Sequence, residues 1–445
     1  MCSEQIAIDK ACYVDPGSDC VVSYAQFVAD LALQKPTTQH PDADELQTGV
    51  AGTDGSPECE FEKRPNQYRL ICQLVANIVR GNDFCLGNNR VRTTRKNGDN
   101  QDQDQVDWLA AIRNSASQIR LETSGTTGSP KQVVHSIKTL TRGVKTGEQH
   151  KNDVWGLAYP LDHLAGLQVL FQALLNQNTI VQLFGLSTEL VHQAIDQRQI
   201  THLSCTPTFL KLLAADDHTH PGVKRLTTGG ERFDAETMAS VDRLFPAAKH
   251  RNIYALTEVG NLLIAEGDRF RVPAELEEKV TVIDGNLAIH HSLLADPTIA
   301  TVARAPAGSI QVLDETNRES DSRWYVTGDL VEILDDKPLT FKFSARRDDL
   351  INVGGYKVIP QQVEEHLAKI PSIRQAVVYG KKNSVTGQIV VCDVVTESGL
   401  QFDPVSAKKE LAETLPRYAV PRIFNIVESL RMTPTGKLCR RDEES

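Results

Sequence analysis

At 445 residues, with 40% hydrophobic and 24% charged side chains, the chain reads as a soluble globular protein too long for one ordinary domain. A formal net charge of −10 argues against non-specific nucleic-acid binding and an anionic membrane surface, and no apolar run approaches the length of a membrane span. The start, Met1-Cys2-Ser3-Glu4-Gln5, lacks the layout of a secretory signal, and nine scattered cysteines without C-x-x-C spacing point to free thiols in a reducing cytoplasm.

The first periodic stretch is a helix from Tyr24 to Leu33, with Ser23 placed to cap it. Residues 36–65 turn polar, acidic and Gly/Pro-rich and read as a long exposed loop or disordered insert. Tyr68 to Val79 is an apolar helix, and 88–107 reads as a second mobile connection. The segment Ile119 to Thr123 alternates as a strand. From Trp155 onward strands and helices take turns: strands at 155–159, 179–184, 202–205, 224–228 and 252–256, helices at 164–175, 188–198, 208–214 and 235–244. This alternation predicts a parallel sheet covered on both faces, with ligands at the carboxyl ends of its strands. From Val280 the text changes to short strands and turns, a β-rich subdomain. The last hundred residues predict a compact α+β satellite, with helices at 360–370 and 405–415 and strands at 376–379, 389–395 and 423–427. The fold class is therefore α/β: a large N-terminal domain of parallel sheets, helices and a β-rich subdomain, and a small mobile α+β C-terminal domain.

Six stretches carry chemistry. Ser124-Gly125-Thr126-Thr127-Gly128-Ser129-Pro130-Lys131 follows a strand and combines small residues, hydroxyls and a lysine, suited to backbone approach to a polyphosphate. It is not the Walker A pattern, because its glycines are three apart and Ser-Pro precedes the lysine. Gly229-Gly230-Glu231 lets a flat ring lie against bare backbone. Tyr254-Ala255-Leu256-Thr257-Glu258 ends a strand with an aromatic face, a hydroxyl and a carboxylate. Tyr325-Val326-Thr327-Gly328-Asp329 presents one acid at a turn. Phe343 to Val358 is dense in charge and then Gly-rich, and Lys437 closes Thr433-Pro434-Thr435-Gly436-Lys437.

In this order the six resemble the acyl-adenylate-forming superfamily of acyl-CoA synthetases, peptide-synthetase adenylation domains and luciferases, over about residues 119–441. The resemblance implies ATP- and Mg²⁺-dependent activation of a small carboxylic acid to an acyl adenylate, then transfer to a thiol, most often that of coenzyme A. It implies a phosphate-binding role for Ser124, Gly125, Thr126, Thr127, Gly128 and Lys131. Lys437 would bridge the acyl carboxylate and the α-phosphate, Glu258 would ligate Mg²⁺, and Thr257 would hydrogen-bond the α-phosphate. Tyr254, beside Ala255, would stack on adenine; Gly229, Gly230 and Glu231 would lie along the purine; Asp329 with Arg346 would hold the ribose hydroxyls. His163, in Pro160-Leu161-Asp162-His163, would gate the acyl carboxylate. Asp348 falls at the hinge between a 1–345 domain and a 346–445 lid. Asn352 and Lys357 flank Gly354 and Gly355, which would line the pantetheine tunnel.

Two positions depart from the family pattern: Ala345 stands where Gly is usual before Arg346, and Lys357 where Arg is common. Ala255, with Leu164, Leu167, Val259 and Leu262 nearby, suggests an apolar or aromatic acid larger than acetate. The leading expectation is an acyl- or aryl-CoA synthetase. The alternatives are a stand-alone enzyme loading an acyl carrier protein and a nucleotide-binding regulatory protein with lapsed chemistry. Oligomeric state has no signature in the sequence.

Overall fold

The computed structural model describes residues 10–34, 61, 63–87, 90–95, 107–123, 131–214, 217–231, 233, 235–295, 324–397 and 399–431. The chain divides into two compact units, one of residues 1–268 with 292–312 and one of residues 269–291 with 313–445.

The first unit contains strands β1 (Ala11–Asp15), β2 (Cys20–Ser23), β3 (Asp83–Gly87), β4 (Arg90–Arg95), β5 (Gln118–Thr123), β6 (Lys131–Ser136), β7 (Val154–Leu157), β8 (Thr179–Gln182), β9 (His202–Cys205), β10 (Arg225–Gly229), β11 (Lys249–Leu256) and β12 (Gly260–Glu266). Its main sheet runs β12-β11-β10-β9-β7-β8-β1-β2. From β11 to β1 every pairing is parallel, while β12 pairs antiparallel with β11 and β2 pairs antiparallel with β1. The expected parallel sheet is thus present. Strand alternation sends side chains to opposite faces: Tyr13 and Ile180 enter one core with the helices Asn66–Val79 and Leu164–Leu174, while Val14 and Val181 enter another with Thr188–Gln197, Pro207–Leu213 and Ala235–Leu244. Helix Leu164–Leu174 is buried on most of its circumference rather than amphipathic, as a helix wedged between layers must be.

A second, four-stranded sheet, β4-β3-β5-β6, departs from expectation. Residues 90–95 lie in the stretch read as a mobile connection, yet they form a strand paired antiparallel to β3. Val91 is buried there, and the Thr93 hydroxyl donates to Asn77 Oδ1 at 2.9 Å. The flanking Arg residues hid a period-two pattern that only the partner strand makes stable. β1 and β2 also escape sequence reading: each is only four or five residues long, and they form by pairing with each other and with β8. The Ser23 cap stands as expected, accepting from the Gln26 N–H at 3.2 Å. Of the stretch 36–65 read as an exposed loop or disordered insert, residues 36–60 and 62 lie outside the described residues. Phe61 is not exposed: it is buried against the Tyr68 ring, because an aromatic at that point completes the core.

The second unit contains β13 (Arg269–Arg271), β14 (Val280–Ile283), β15 (Asn286–His290), β16 (Trp324–Asp336), β17 (Leu339–Arg346), β18 (Ile351–Val353), β19 (Tyr356–Val358), β20 (Ile373–Asn383), β21 (Gly387–Thr396) and β22 (Ile423–Ile426). β13 to β17 pair antiparallel in the order β14-β15-β16-β17-β13. β18 to β22 form a separate sheet, in which β20 and β21 pair antiparallel and β22 joins β21 in parallel. Val363 and Leu367 of the helix Pro360–Leu367 and Leu411 of Pro404–Thr414 bury with Val378, Val390 and Val394 of this sheet. The single turn Arg347–Asp349 carries the chain from the first of these sheets to the second.

Candidate active site

The unusual loops of the first unit leave the carboxyl ends of its parallel strands. β10 ends in Gly229, where a β-carbon would stand 2.8 Å from the Ile253 carbonyl oxygen of β11, so no side chain fits. Gly230 follows with φ +80°, a conformation that favours glycine. The two residues thereby bring bare backbone to the edge of the sheet. Glu231, expected along a purine, has a second partner that its sequence did not suggest. Its carboxylate accepts from the Thr208 N–H at 3.0 Å, at the start of the helix Pro207–Leu213, whose N-cap Thr206 accepts from Phe209. A carboxylate is stabilised at that helix end by otherwise unpaired N–H groups.

β11 pairs with β12 through a bulge: Tyr254 faces Leu263 and Ala255 faces Asn261, so Leu262 is the extra residue. Bulges re-aim side chains at strand ends. Tyr254 is buried and Ala255 half-buried. The hairpin turns through Thr257-Glu258-Val259, and each of these three carbonyls is held from outside the hairpin. Thr257 O accepts from His135 Nε2 at 2.6 Å, Glu258 O from the Ala295 N–H at 2.8 Å, and Val259 O from Arg142 Nη2 at 3.1 Å. A carbonyl only accepts, so the His135 proton sits on Nε2. Burial holds the His135 pKa below the ordinary imidazole range, outweighing the Thr257 carbonyl and the nearby Glu258 carboxylate, which favour its charged form. The ring is therefore neutral near pH 7. Sequence reading missed His135, Arg142 and Ala295. The one available signal was a histidine in the buried alternation Val133-Val134-His135.

His163 lies after β7, at the start of the helix Leu164–Leu174. Its backbone is extended and its carbonyl accepts from Leu167 at 3.1 Å, but its ring does not cap the helix. The loop before it crosses close over the first helical turn: a β-carbon on Gly166 would lie 2.2 Å from the Pro160 carbonyl oxygen. Tyr159 is buried beside Ser204, and burial pushes its phenol well above the ordinary range. Leu164, Leu167 and Val259 are buried and Leu262 is half-buried.

Residues 124–130, the side chain of Lys131 and Lys437 lie outside what the structure describes. The backbone of Lys131 opens β6 opposite Thr123, so β5 and β6 are the two strands that lead into and out of the Gly-rich loop.

In the second unit Asp329 and Arg346 face each other across β16 and β17. Arg346 Nε donates to Asp329 Oδ1 at 2.8 Å; the carboxylate is buried and the guanidinium mostly exposed. Gly328, φ +78°, turns the chain before Asp329, whose N–H donates to the Thr327 hydroxyl. Asp348 is exposed in the turn between the two sheets. Asn352 and Lys357 are directly opposite across the β18–β19 hairpin, whose tip is Gly354 and Gly355.

Among the described residues no three His, Cys, Asp or Glu side chains gather to hold a metal. Glu258 and Thr257 offer one carboxylate and one hydroxyl on a fixed turn. That donor set fits Mg²⁺, which takes one or two carboxylates and completes its shell with phosphate oxygens and water.

Residues 121–290 match the family model for AMP-binding enzymes, and residues 362–437 the model for the AMP-binding enzyme C-terminal domain. The chain is 27% identical over 337 residues to a 2-succinylbenzoate–CoA ligase of Bacillus licheniformis, covering 72% of this chain and 68% of that protein. A second 2-succinylbenzoate–CoA ligase, from Staphylococcus epidermidis, is 27% identical over 340 residues, covering 73% and 68%. Among solved structures, the o-succinylbenzoate CoA synthetase MenE from Bacillus subtilis in complex with an acyl-adenylate intermediate superposes with a TM-score of 0.51 at 21% identity, over 72% of this chain and 68% of that one. The amide bond synthetase McbA from Marinactinospora thermotolerans gives 0.53 at 21% identity, over 72% and 67%. At that identity the structural likeness speaks for the fold. With the two family models together spanning more than half of its length, the chain belongs to the acyl-adenylate-forming superfamily of AMP-binding enzymes.

Proposed function

We propose that this chain is an AMP-forming acid–thiol ligase: it activates a carboxylic acid with ATP to an acyl adenylate, releases pyrophosphate, and passes the acyl group to coenzyme A. The observation that carries the reading is the held turn Thr257-Glu258, one strand over from the bare backbone of Gly229-Gly230 at the carboxyl edge of a parallel sheet. The relatives named as CoA ligases support it.

In the first step a carboxylate oxygen of the acid attacks the α-phosphorus and pyrophosphate leaves. In the second a thiolate sulfur attacks the acyl carbonyl carbon and AMP leaves. Both steps develop charge on oxygen, so positioned donors and cations supply most of the catalysis. We assign phosphate binding to Ser124, Gly125, Thr126, Thr127, Gly128 and Lys131, and the bridge between acid and α-phosphate to Lys437. Thr257 donates to the α-phosphate, and Glu258 holds Mg²⁺, which when bound neutralises phosphate charge. Gly229, Gly230, Glu231, Tyr254 and Ala255 take the adenine. Asp329, steadied by Arg346, accepts from the ribose hydroxyls, and His163 meets the acyl carboxylate. Residues 346–445 swing on 1–345 about Asp348, which is exposed on the link between two separate sheets. Asn352, Gly354, Gly355 and Lys357 then admit the thiol arm. An aromatic acid is the substrate class that the relatives' names favour.

The test is pyrophosphate release with ATP and Mg²⁺ against 2-succinylbenzoate, other aromatic acids and short and medium-chain acids, each with and without coenzyme A. Release that depends on one acid class and turns over repeatedly only with coenzyme A is expected. A single turnover that coenzyme A leaves unchanged points to an acyl carrier protein as acceptor. No release with any acid sinks the reading.

A further inference from the structure

Resting on that reading, we infer that His135 is a positioning residue for the nucleotide–magnesium site, holding the Thr257-Glu258 turn to the strand that leaves the Gly-rich loop. Three observations carry this. First, the ring is buried and its only partner outside its own segment among the hydrogen bonds described is the Thr257 carbonyl at 2.6 Å. Second, the same stretch of chain grips the turn again: Arg142, just past the helix Ile137–Thr141 that follows β6, donates to Val259 O at 3.1 Å. Third, His135 lies four residues beyond Lys131 on one strand, and β6 is paired along its full length with β5. A strand held in that way is a stiff spacer of about 13 Å over four residues. It sets the distance between the end of the Gly-rich loop and the turn that presents Glu258.

The bond has a chemical signature that packing lacks. It needs an N–H at the Nε2 position, aimed at a carbonyl. Gln can place its side-chain Nε2 there, whereas Phe keeps the ring's bulk and has no donor. The two substitutions therefore separate positioning from space filling.

The experiment uses the full chain with His135→Phe and His135→Gln. It reads amide hydrogen exchange across residues 255–262 without ligands, and the Mg²⁺ concentration for half-maximal acid-dependent pyrophosphate release. Phe is expected to speed exchange in that segment and to raise the Mg²⁺ requirement about tenfold, the range seen for groups that support a metal ligand. Gln is expected to recover most of both. Exchange in the Phe variant as slow as in the parent protein overturns the inference. So does a Gln variant impaired where Phe is not, since that pattern reports ring packing. If the parent releases no pyrophosphate with any acid, the functional reading fails, and the exchange data alone decide whether His135 holds the turn.

Discussion

Two turns of this molecule, Thr257-Glu258-Val259 and Val353-Gly354-Gly355-Tyr356, solve opposite problems. In the first, three successive carbonyls are each held by a group from elsewhere in the chain, His135, Ala295 and Arg142. In the second, φ is +61° at Gly354 and +91° at Gly355, and a β-carbon on Gly355 would meet nothing within 4 Å. That turn is tied by two bonds, Gly354 N–H to Thr386 O at 2.8 Å and Gly355 N–H to Asn352 Oδ1 at 3.1 Å. Under the proposed function the first turn would meet a phosphate in one geometry, which suits a backbone fixed by parts it does not own. The second would pass a thin flexible arm, which suits absent side chains.

The largest expected effect strikes the held turn. Glu258→Gln keeps the shape and removes the negative charge, so acid-dependent pyrophosphate release should fall more than about a hundredfold, beyond the loss typical of a group one layer behind a ligand. Circular dichroism should be unchanged; a variant that keeps its activity breaks the assignment of the turn. Next comes the loop that carries His163. Gly166→Ala drives a methyl into the Pro160 carbonyl, 2.2 Å away. Backbone on both sides cannot yield cheaply, so a loss of about 1–3 kcal/mol in urea denaturation is expected.

The open turn should respond differently. Gly355→Ala meets no clash and bears only the cost of a positive φ, about 1–2 kcal/mol. Adenylation measured by pyrophosphate release should survive while coenzyme A-dependent turnover falls. Equal loss in both half-reactions would erase the contrast between the turns. Asn352→Ala removes one acceptor at an exposed hairpin, and about 1 kcal/mol or less is expected.

The smallest effect lies at the far end of the sheet, where His202 begins β9 with Nε2 3.5 Å from Asp153 Oδ2. Burial lowers its pKa from the ordinary 6.5. The unfolded chain then binds more protons than the folded one, so the stability from the neutral ring is complete above 6.5 and is lost as the pH falls below it. His202→Gln should flatten the fall of the urea midpoint on acidification without touching activity near neutrality.

Much of this protein is readable from its residues because local rules act there without help. Alternation of Val and Ile runs with amphipathic spacing set the parallel sheet and its covering helices, and Ser23 capped its helix as its type dictates. The six motifs carried the family jointly: each alone is an ordinary turn, strand end or tail, and only their occurrence together in this order is specific. Tertiary structure alone decided the rest. Arg90 to Arg95 became a strand only because β3 lay beside it, and β1 and β2 only because β8 offered an edge. Glu231 found a helix end 23 residues away, and His135 a carbonyl 122 residues away. Such partners leave no mark in spacing or periodicity. They arise when the packed sheet brings distant backbone groups together and burial makes each unpaired one costly.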